Sequence, residues 1–555
     1  MARLTRSLLA LSLTALVLAA PSGAIQGSRF RPATTSPLGI VATESPAAGA
    51  VGRDVLNRGG NAIDAAVATV FALNVARPQS CGIGGRAVRG PVGHEAAAYT
   101  PTTLTGPGLY QTFTGHLPVG LPGTLAGMDA ALHRYGTISL RQALKPAIKM
   151  ARRGIVVTPA LSLSMAQNAA RLKLFPAAAA QFLVNGQDPY PAGSILRQPD
   201  LARSLALIAR RGPDAFYRGP IAKLIAADMA NAAAHPIPGD SAVLRYDDLG
   251  HYVAKWRDPI VGTYRGRTVI GSPPPTSGGV AIQEMLNILE GFDLHGDGMS
   301  SALSLHLIAE AQQLAWADRG AYLGDPDFVH VPVAQLISKD YAVQRRAEID
   351  PDHAKTFAPG LGPPEPPQAS TTDIAVIDRW GNAVSLTCTI EQEFGSAVVA
   401  PGTGFLLNNE LTDFGAAGTA NQAQAFKRPR SSISPEIVVQ NGVPVFVDGG
   451  AGGARIVEGT LLPILDTIDY GQDIAHAVDA ERIDAAAEPL IVEGARMPAG
   501  TLAGLQARGH TITNVGEYDI RPRVQAAGID PLTGTRIGVS DSRTEDGTYA
   551  ESRAR

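Results

Sequence analysis

A layered α+β fold is predicted by three features of the 555-residue chain. Apolar residues recur at helical spacing in several long segments. Strict strand-like alternation appears in others. Both patterns lie on each side of the proline-rich run "PGLGPPEPP" (359–367), which favours one mixed layered unit over separate all-α and all-β domains.

The elements follow in chain order. "ESPAAGAVGRDVLNRGGNAIDAAVATVFALNVARPQ" reads as two helices broken at Gly59-Gly60, with Asn61 or Asp64 near the second start and Pro78 beyond its end. Ile63, Val67, Val70 and Phe71 give that second helix a buried face. "SLRQALKPAIKMARRG" is an amphipathic helix from Ser139 to a glycine stop at Gly154, and "LSLHLIAEAQQLAWADRGAYLGDP" is a longer one. "TVIGS" reads as a short strand. Proline at this density holds neither helix nor interior strand, so 359–370 is a linker. Beyond it "TTDIAVID" and "AVSLTCTI" alternate around the turn "RWGN", and "SPEIVVQNGVPVFVDG" turns at Asn441-Gly442; both are hairpin patterns. Helical content returns in "HAVDAERI" and "AGTLAGLQARG".

Bulk properties narrow the function. The first 24 residues carry Arg3 and Arg6, an apolar run from Leu8 to Ala20, and small residues ending at Ala24. That is the pattern of a cleaved secretory signal, and its run of about 13 residues is short of the roughly 20 a membrane span needs. Export to the periplasm or medium is expected, with no anchor left on the mature chain. A net charge of −3 gives no basic footprint for nucleic acid. No H-x-x-x-H or C-x-x-C spacing occurs, so neither metal nor other cofactor is expected. Cys81 and Cys388 allow one disulfide in an oxidising space, though sequence does not decide whether they meet.

Thr371 opens a strand directly after the linker. If the Ser370–Thr371 bond were cut, the threonine hydroxyl would gain an α-amine of pKa about 7.7 to 8.0 as its own base, with no histidine required. A Thr-Thr pair alone is more often the plain start of a strand.

The surroundings carry the argument further. "TTDIAVID", "LLNNELTDF", "KRPRSSISP" and "GGAGGAR", with "GIVATESPAAGAVGRDVLNRGGNAIDAAVA", "GLPGTLAGM", "PAIKMARRG" and "ADRGAYLGDPDF" upstream, resemble the γ-glutamyltranspeptidase family of N-terminal-nucleophile hydrolases, in order and over nearly the whole mature chain. The resemblance implies a four-layer αββα sandwich. It implies self-cleavage between Ser370 and Thr371 into a large chain (25–370) and a small one (371–555) that stay together as a heterodimer. Thr371 then corresponds to the nucleophile, Thr389 to a hydroxyl that orients it, and Gly452 and Gly453 to the backbone donors of an oxyanion hole. Glu410 and Asp413 correspond to the pair that receives a substrate amino group, and Ser431 and Ser432 to the serines that receive its carboxylate.

The chain departs from the family pattern in three places. Thr100 stands at or near the position of an arginine that pairs with the substrate carboxylate, with Arg86 or Arg89 as replacements. Glu391 stands where the family has asparagine. The segment from Asp413 to Lys427 is short, which implies a reduced lid. The expected activity is cleavage of a small-molecule amide through an acyl-enzyme, with transfer to water or to an amino acid or dipeptide. Excess acid at the site predicts weak use of γ-glutamyl amides such as glutathione. A cephalosporin-acylase-like hydrolase and a catalytically silent family member are the alternatives.

Overall fold

The computed structural model describes residues 30–85, 113–231, 236–237, 240, 242–357, 371–486, 488–545 and 547–552. The expected signal segment, the linker, Ser370, Arg86, Arg89 and Thr100 lie outside these residues.

Eleven strands build the two main sheets: β1 (Thr34–Ser36), β2 (Ile40–Thr43), β3 (Ile260–Tyr264), β4 (Arg267–Gly271), β5 (Thr371–Ile377), β6 (Ala383–Thr389), β7 (Glu436–Gln440), β8 (Val443–Ala451), β9 (Arg523–Ile529), β10 (Arg536–Ser540) and β11 (Tyr549–Ala550). One sheet runs β1-β10-β9-β8-β7-β4-β3 and the other β6-β5-β2-β11, every neighbouring pair antiparallel. The hairpins fall where the turn residues put them. Asn441 and Gly442 both take positive φ (51° and 80°), as a two-residue turn matching strand twist requires. At the other hairpin Asp378 Oδ1 accepts from the backbone N–H groups of Trp380 and Asn382.

Seven helices sandwich these sheets: α1 (Pro46–Asn57), α2 (Ala62–Ala76), α3 (Leu140–Arg153), α4 (Pro199–Arg211), α5 (Gly278–Leu289), α6 (Ala302–Tyr322) and α7 (Ile456–Ile468). The alternation of β5 explains the layering. Ile374 and Val376 pack into the cluster that contains α1 to α4, whereas Ala375 and Ile377 meet Ile40, Ala42, Val447 and Ala527 between the sheets. Val269, Val438, Phe446 and Val524 bury the outer face of the seven-stranded sheet under α5, α6 and α7. The result is the αββα sandwich that the resemblance implies.

The helix boundaries match their local signals. Asn61 Oδ1 accepts from Asp64 N and Asp64 Oδ2 from Asn61 N, both at 3.0 Å, a capping box that starts α2. Ser139 caps α3, and Gly154 ends it at φ 91°. The expected face of α2 is buried at Val67, Val70 and Phe71 and half-buried at Ile63, and burial extends beyond it. Of the α2 residues only Ile63 is not fully buried, so this helix has no solvent face; a sequence that is apolar all round belongs inside a layer.

Cys81, just after α2, and Cys388, in β6, form a disulfide with an S–S distance of 2.05 Å across 307 residues. It ties the helical layer to the edge of the four-stranded sheet.

The space between and beside the sheets also holds buried acids. Asp373, Glu436 and Asp448 are at most 1% exposed, and Glu436 sits opposite Asp448 in the β7–β8 register. Burial lifts all three carboxyls well above the usual range, and mutual repulsion adds to it for Asp448. Burial likewise pushes Glu310 up to about 7 and Glu458 up to about 8. Burial alone would lower His116, but hydrogen bonds to Asp228 and Asp240 outweigh it and push the ring up to about 9.

Two predictions follow from these features. A group whose folded pKa lies above its unfolded value stabilises fully below the unfolded pKa and loses that contribution as pH rises through the folded one. The melting temperature should therefore fall from about pH 4.5 to about pH 9, and Glu310→Gln should flatten the part of the slope below about pH 7; a flat or rising wild-type curve would refute protonated buried acids. Replacing both cysteines with serine should cost about 3 kcal/mol in denaturant titrations under oxidising conditions.

Candidate active site

Thr371 is the first residue of β5 and pairs with Thr389, the last residue of β6. Both side chains are almost fully buried, and their Oγ1 atoms are 3.2 Å apart. Thr389 Oγ1 also accepts the Glu391 N–H at 2.8 Å. Thr389 Oγ1 thus accepts from both the Thr371 hydroxyl and the Glu391 N–H. The sheet register thus aims one threonine at the other.

The glycine pair approaches from the facing sheet. β8 ends at Ala451, which pairs with Arg523 of β9, and an Arg523 guanidinium nitrogen lies 3.5 Å from the Thr371 carbonyl oxygen. Gly452 and Gly453 follow at once and lead into α7. A Cβ on Gly452 would come within 2.6 Å of Pro522 Cα, and Gly453 sits at φ 68°. Glycine is needed at the first for space and at the second for backbone conformation. Backbone N–H groups entering a helix N-terminus are suited to stabilising negative charge.

Three acids converge beside the threonines. Oxygens of Glu391, Glu410 and Asp413 lie within 4.8 Å of one another. Glu410 is fully buried, with its N–H on Asn408 Oδ1 at 3.1 Å. Glu391 takes φ 78°, a left-handed turn that β6 makes as it leaves the sheet. Such a cluster can receive a cation, either an ammonium or a metal ion. The segment after Asp413 is tied down by Gly415 N to Asn421 O at 2.9 Å, and Phe414 and Ala423 pack against Leu411.

The serine pair stands on a buried cation. Ser432 Oγ accepts from Arg319 Nη2 at 2.7 Å, and Arg319 Nε donates to Ser277 Oγ at 2.8 Å. The Ser431 carbonyl accepts from both the N–H and the hydroxyl of Ser277, each at 2.7 Å. A cleft of about 450 Å³ adjoins Thr389, with Leu386, Trp256 and Ile433 among its apolar walls and Lys255, Arg257 and Arg428 among its cations.

Thr371 with Thr389, the three acids, and the serine pair are therefore each brought together as sequence reasoning expected. Arg319 and Arg523 were missed. Arg319 lies inside the quoted segment "ADRGAY", yet nothing around it marks a partner more than a hundred residues away. A second gathering of metal-ligand types, His306, Glu310 and His510, is satisfied internally. The two rings bond at 2.8 Å, His306 also meets the Asp350 carbonyl, His510 meets Glu488, and Glu310 accepts from the Lys355 N–H.

Comparison with known proteins agrees with this geometry. The family model for γ-glutamyltranspeptidase matches residues 48–551. The chain is 39% identical over 542 residues to the glutathione hydrolase proenzyme of Escherichia coli K12, covering 92% of this chain and 91% of that protein. It is also 39% identical over 545 residues to the acylase ACY 1 proenzyme of Pseudomonas sp. strain V22, covering 93% and 94%. Among solved structures, cephalosporin acylase from Bacillus halodurans superposes with a TM-score of 0.85 at 30% identity over 97% of this chain and 100% of that one. Helicobacter pylori γ-glutamyltranspeptidase superposes with a TM-score of 0.52 at 35% identity over 57% and 92%. The chain belongs to the γ-glutamyltranspeptidase family of hydrolases and acyltransferases.

Proposed function

We propose that this protein is an exported, self-processing N-terminal-threonine amidohydrolase whose acyl donor carries a free amine. The observation that carries the reading is the buried Thr371–Thr389 hydroxyl pair at the first residue of β5. In processing, Thr371 Oγ1 attacks the Ser370 carbonyl, the Thr371 nitrogen leaves as the new α-amine, and water hydrolyses the ester. In turnover the same oxygen attacks the substrate amide while the α-amine takes its proton and passes it to the departing amine. Water or an amino acid or dipeptide then releases the acyl group. Gly452 and Gly453 supply N–H groups to the oxyanion, each worth about 3 to 4 kcal/mol in the transition state. The expected signal at residues 1–24 places this chemistry outside the cytoplasm.

Substrate choice follows from charge. Glu391, Glu410 and Asp413 suit an ammonium and repel a free carboxylate held near them. Arg319 beneath Ser432 offsets part of that repulsion. γ-Glutamyl amides are therefore accepted, but less well than acyl groups that bear an amine and no carboxylate. The similarity to acylases over nearly the full chain supports an acylase-like hydrolase as the second reading.

Two experiments test this. Under reducing conditions the protein should give two bands, the smaller beginning Thr-Thr-Asp-Ile; without reductant the Cys81–Cys388 bond should keep them as one. Thr371→Ala should abolish splitting and turnover, and Thr371→Ser should retain part of each; hydrolysis by unsplit Thr371→Ala would refute the mechanism. Glu391→Asn should raise kcat/KM for a γ-glutamyl anilide about tenfold relative to an amino-bearing, carboxylate-free anilide, equivalent to about 1.4 kcal/mol. A wild type that already favours the γ-glutamyl compound, with no gain in Glu391→Asn, would overturn the charge argument.

A further inference from the structure

Pairing along β5 is lopsided at its functional end. β2 covers Ile377 back to Ile374, opposite Ile40–Thr43, and ends there, so among the described residues Thr371, Thr372 and Asp373 have β6 on one side and no strand on the other. A side chain takes that place. Arg523 Nη2 donates to the Thr371 carbonyl at 3.5 Å, the long end of a hydrogen bond but strengthened by charge. Arg523 Nε lies 3.4 Å from Glu44 Oε2, and Glu44 is the residue that follows the end of β2. The same carboxylate oxygen meets Arg77 Nη2 at 2.9 Å and Thr544 Oγ1 at 3.3 Å. Glu44 is 0% exposed, and Arg77 and Arg523 are 4% and 9% exposed, so no part of this network is a solvated surface pair.

The network answers a need that cleavage creates. While Ser370 is attached, the upstream chain restrains Thr371. Once the bond is cut, Thr371 is a chain terminus, and termini fray unless tied down. A nucleophile misplaced by about 1 Å can lose about a hundredfold in rate. A donor on the Thr371 carbonyl fixes the peptide plane and with it the direction of Cα–Cβ. Arg523 also pairs with Ala451, one residue before Gly452, so one residue sets both the nucleophile and the approach of the glycine pair. We propose that Arg523, oriented by buried Glu44, is a positioning residue that holds the freed Thr371 terminus in register with Gly452-Gly453. This rests on the reading of Thr371 as nucleophile. The planar fork matters, because it holds Nη2 on the Thr371 carbonyl while Nε stays in ion-pair range of Glu44 without a hydrogen bond of its own, and a lysine ammonium is a single point.

The test uses purified processed protein, with the small chain's N-terminus sequenced in wild type and variants. Arg523→Lys keeps a charge opposite Glu44 and should melt close to wild type. Its kcat should fall about tenfold or more while KM stays within about twofold, since Arg523 grips the nucleophile and not the substrate. Glu44→Asp, which withdraws the carboxylate by one methylene, should move kcat in the same direction. Wild-type kcat in folded Arg523→Lys, or a loss shared by kcat, KM and melting temperature alike, would reduce Arg523 to a structural residue and overturn the inference. Should Arg523→Lys fail to fold, unchanged kcat in Glu44→Asp overturns it equally. A wild-type small chain that begins elsewhere than Thr371 removes the nucleophile assignment and this inference together, a result distinct from normal kinetics in Arg523→Lys on a chain that begins at Thr371.

Discussion

Everything at the site depends on the register between β5 and β6. Thr371 and Thr389 are far from each other in role but face each other as the terminal pair of one ladder, and a slip of one residue would turn one hydroxyl to the opposite face. The packing of β5 guards against that slip. Its alternate residues enter two different cores, Ile374 and Val376 beneath helices and Ala375 and Ile377 between the sheets, so a slip by one would exchange the two sets. Chemical precision at the strand end is thus underwritten by hydrophobic sorting along its length.

Charge around the strand end is divided by partner. On one side the carboxylates of Glu391, Glu410 and Asp413 gather within 4.8 Å of one another; on the other a single carboxylate, Glu44, holds two guanidiniums in the interior. Buried charges are tolerated only when paired, and the second arrangement meets that condition within the protein. Under the serine pair, buried Arg319 donates to two hydroxyls, those of Ser277 and Ser432.

What sequence made legible follows the range of the interaction. Asn61 with Asp64, Ser139 with Gln142, and Asn441-Gly442 act within a few residues, so helix starts and a hairpin turn could be read directly. Thr371, Glu410, Asp413 and the serine pair were legible because the surrounding motifs resemble a family. Arg523 was not, since its contact with Thr371 spans 152 residues, nor was Arg319, whose contact with Ser432 spans 113. The pairing of Cys81 with Cys388 was open for the same reason. The all-round burial of α2 was visible in its composition, and counting only one periodic face understated it.

The disulfide acquires a different meaning once the chain is cut. In an intact chain it closes a loop and lowers the entropy of the unfolded state; in a chain split between Cys81 and Cys388 it becomes the sole covalent connection between the halves. Unfolding then stays unimolecular. The two fragments cannot be diluted away from each other, so stability is independent of protein concentration and refolding starts from partners held at high effective concentration. The bond thus converts a dissociable pair into one that can unfold and recover.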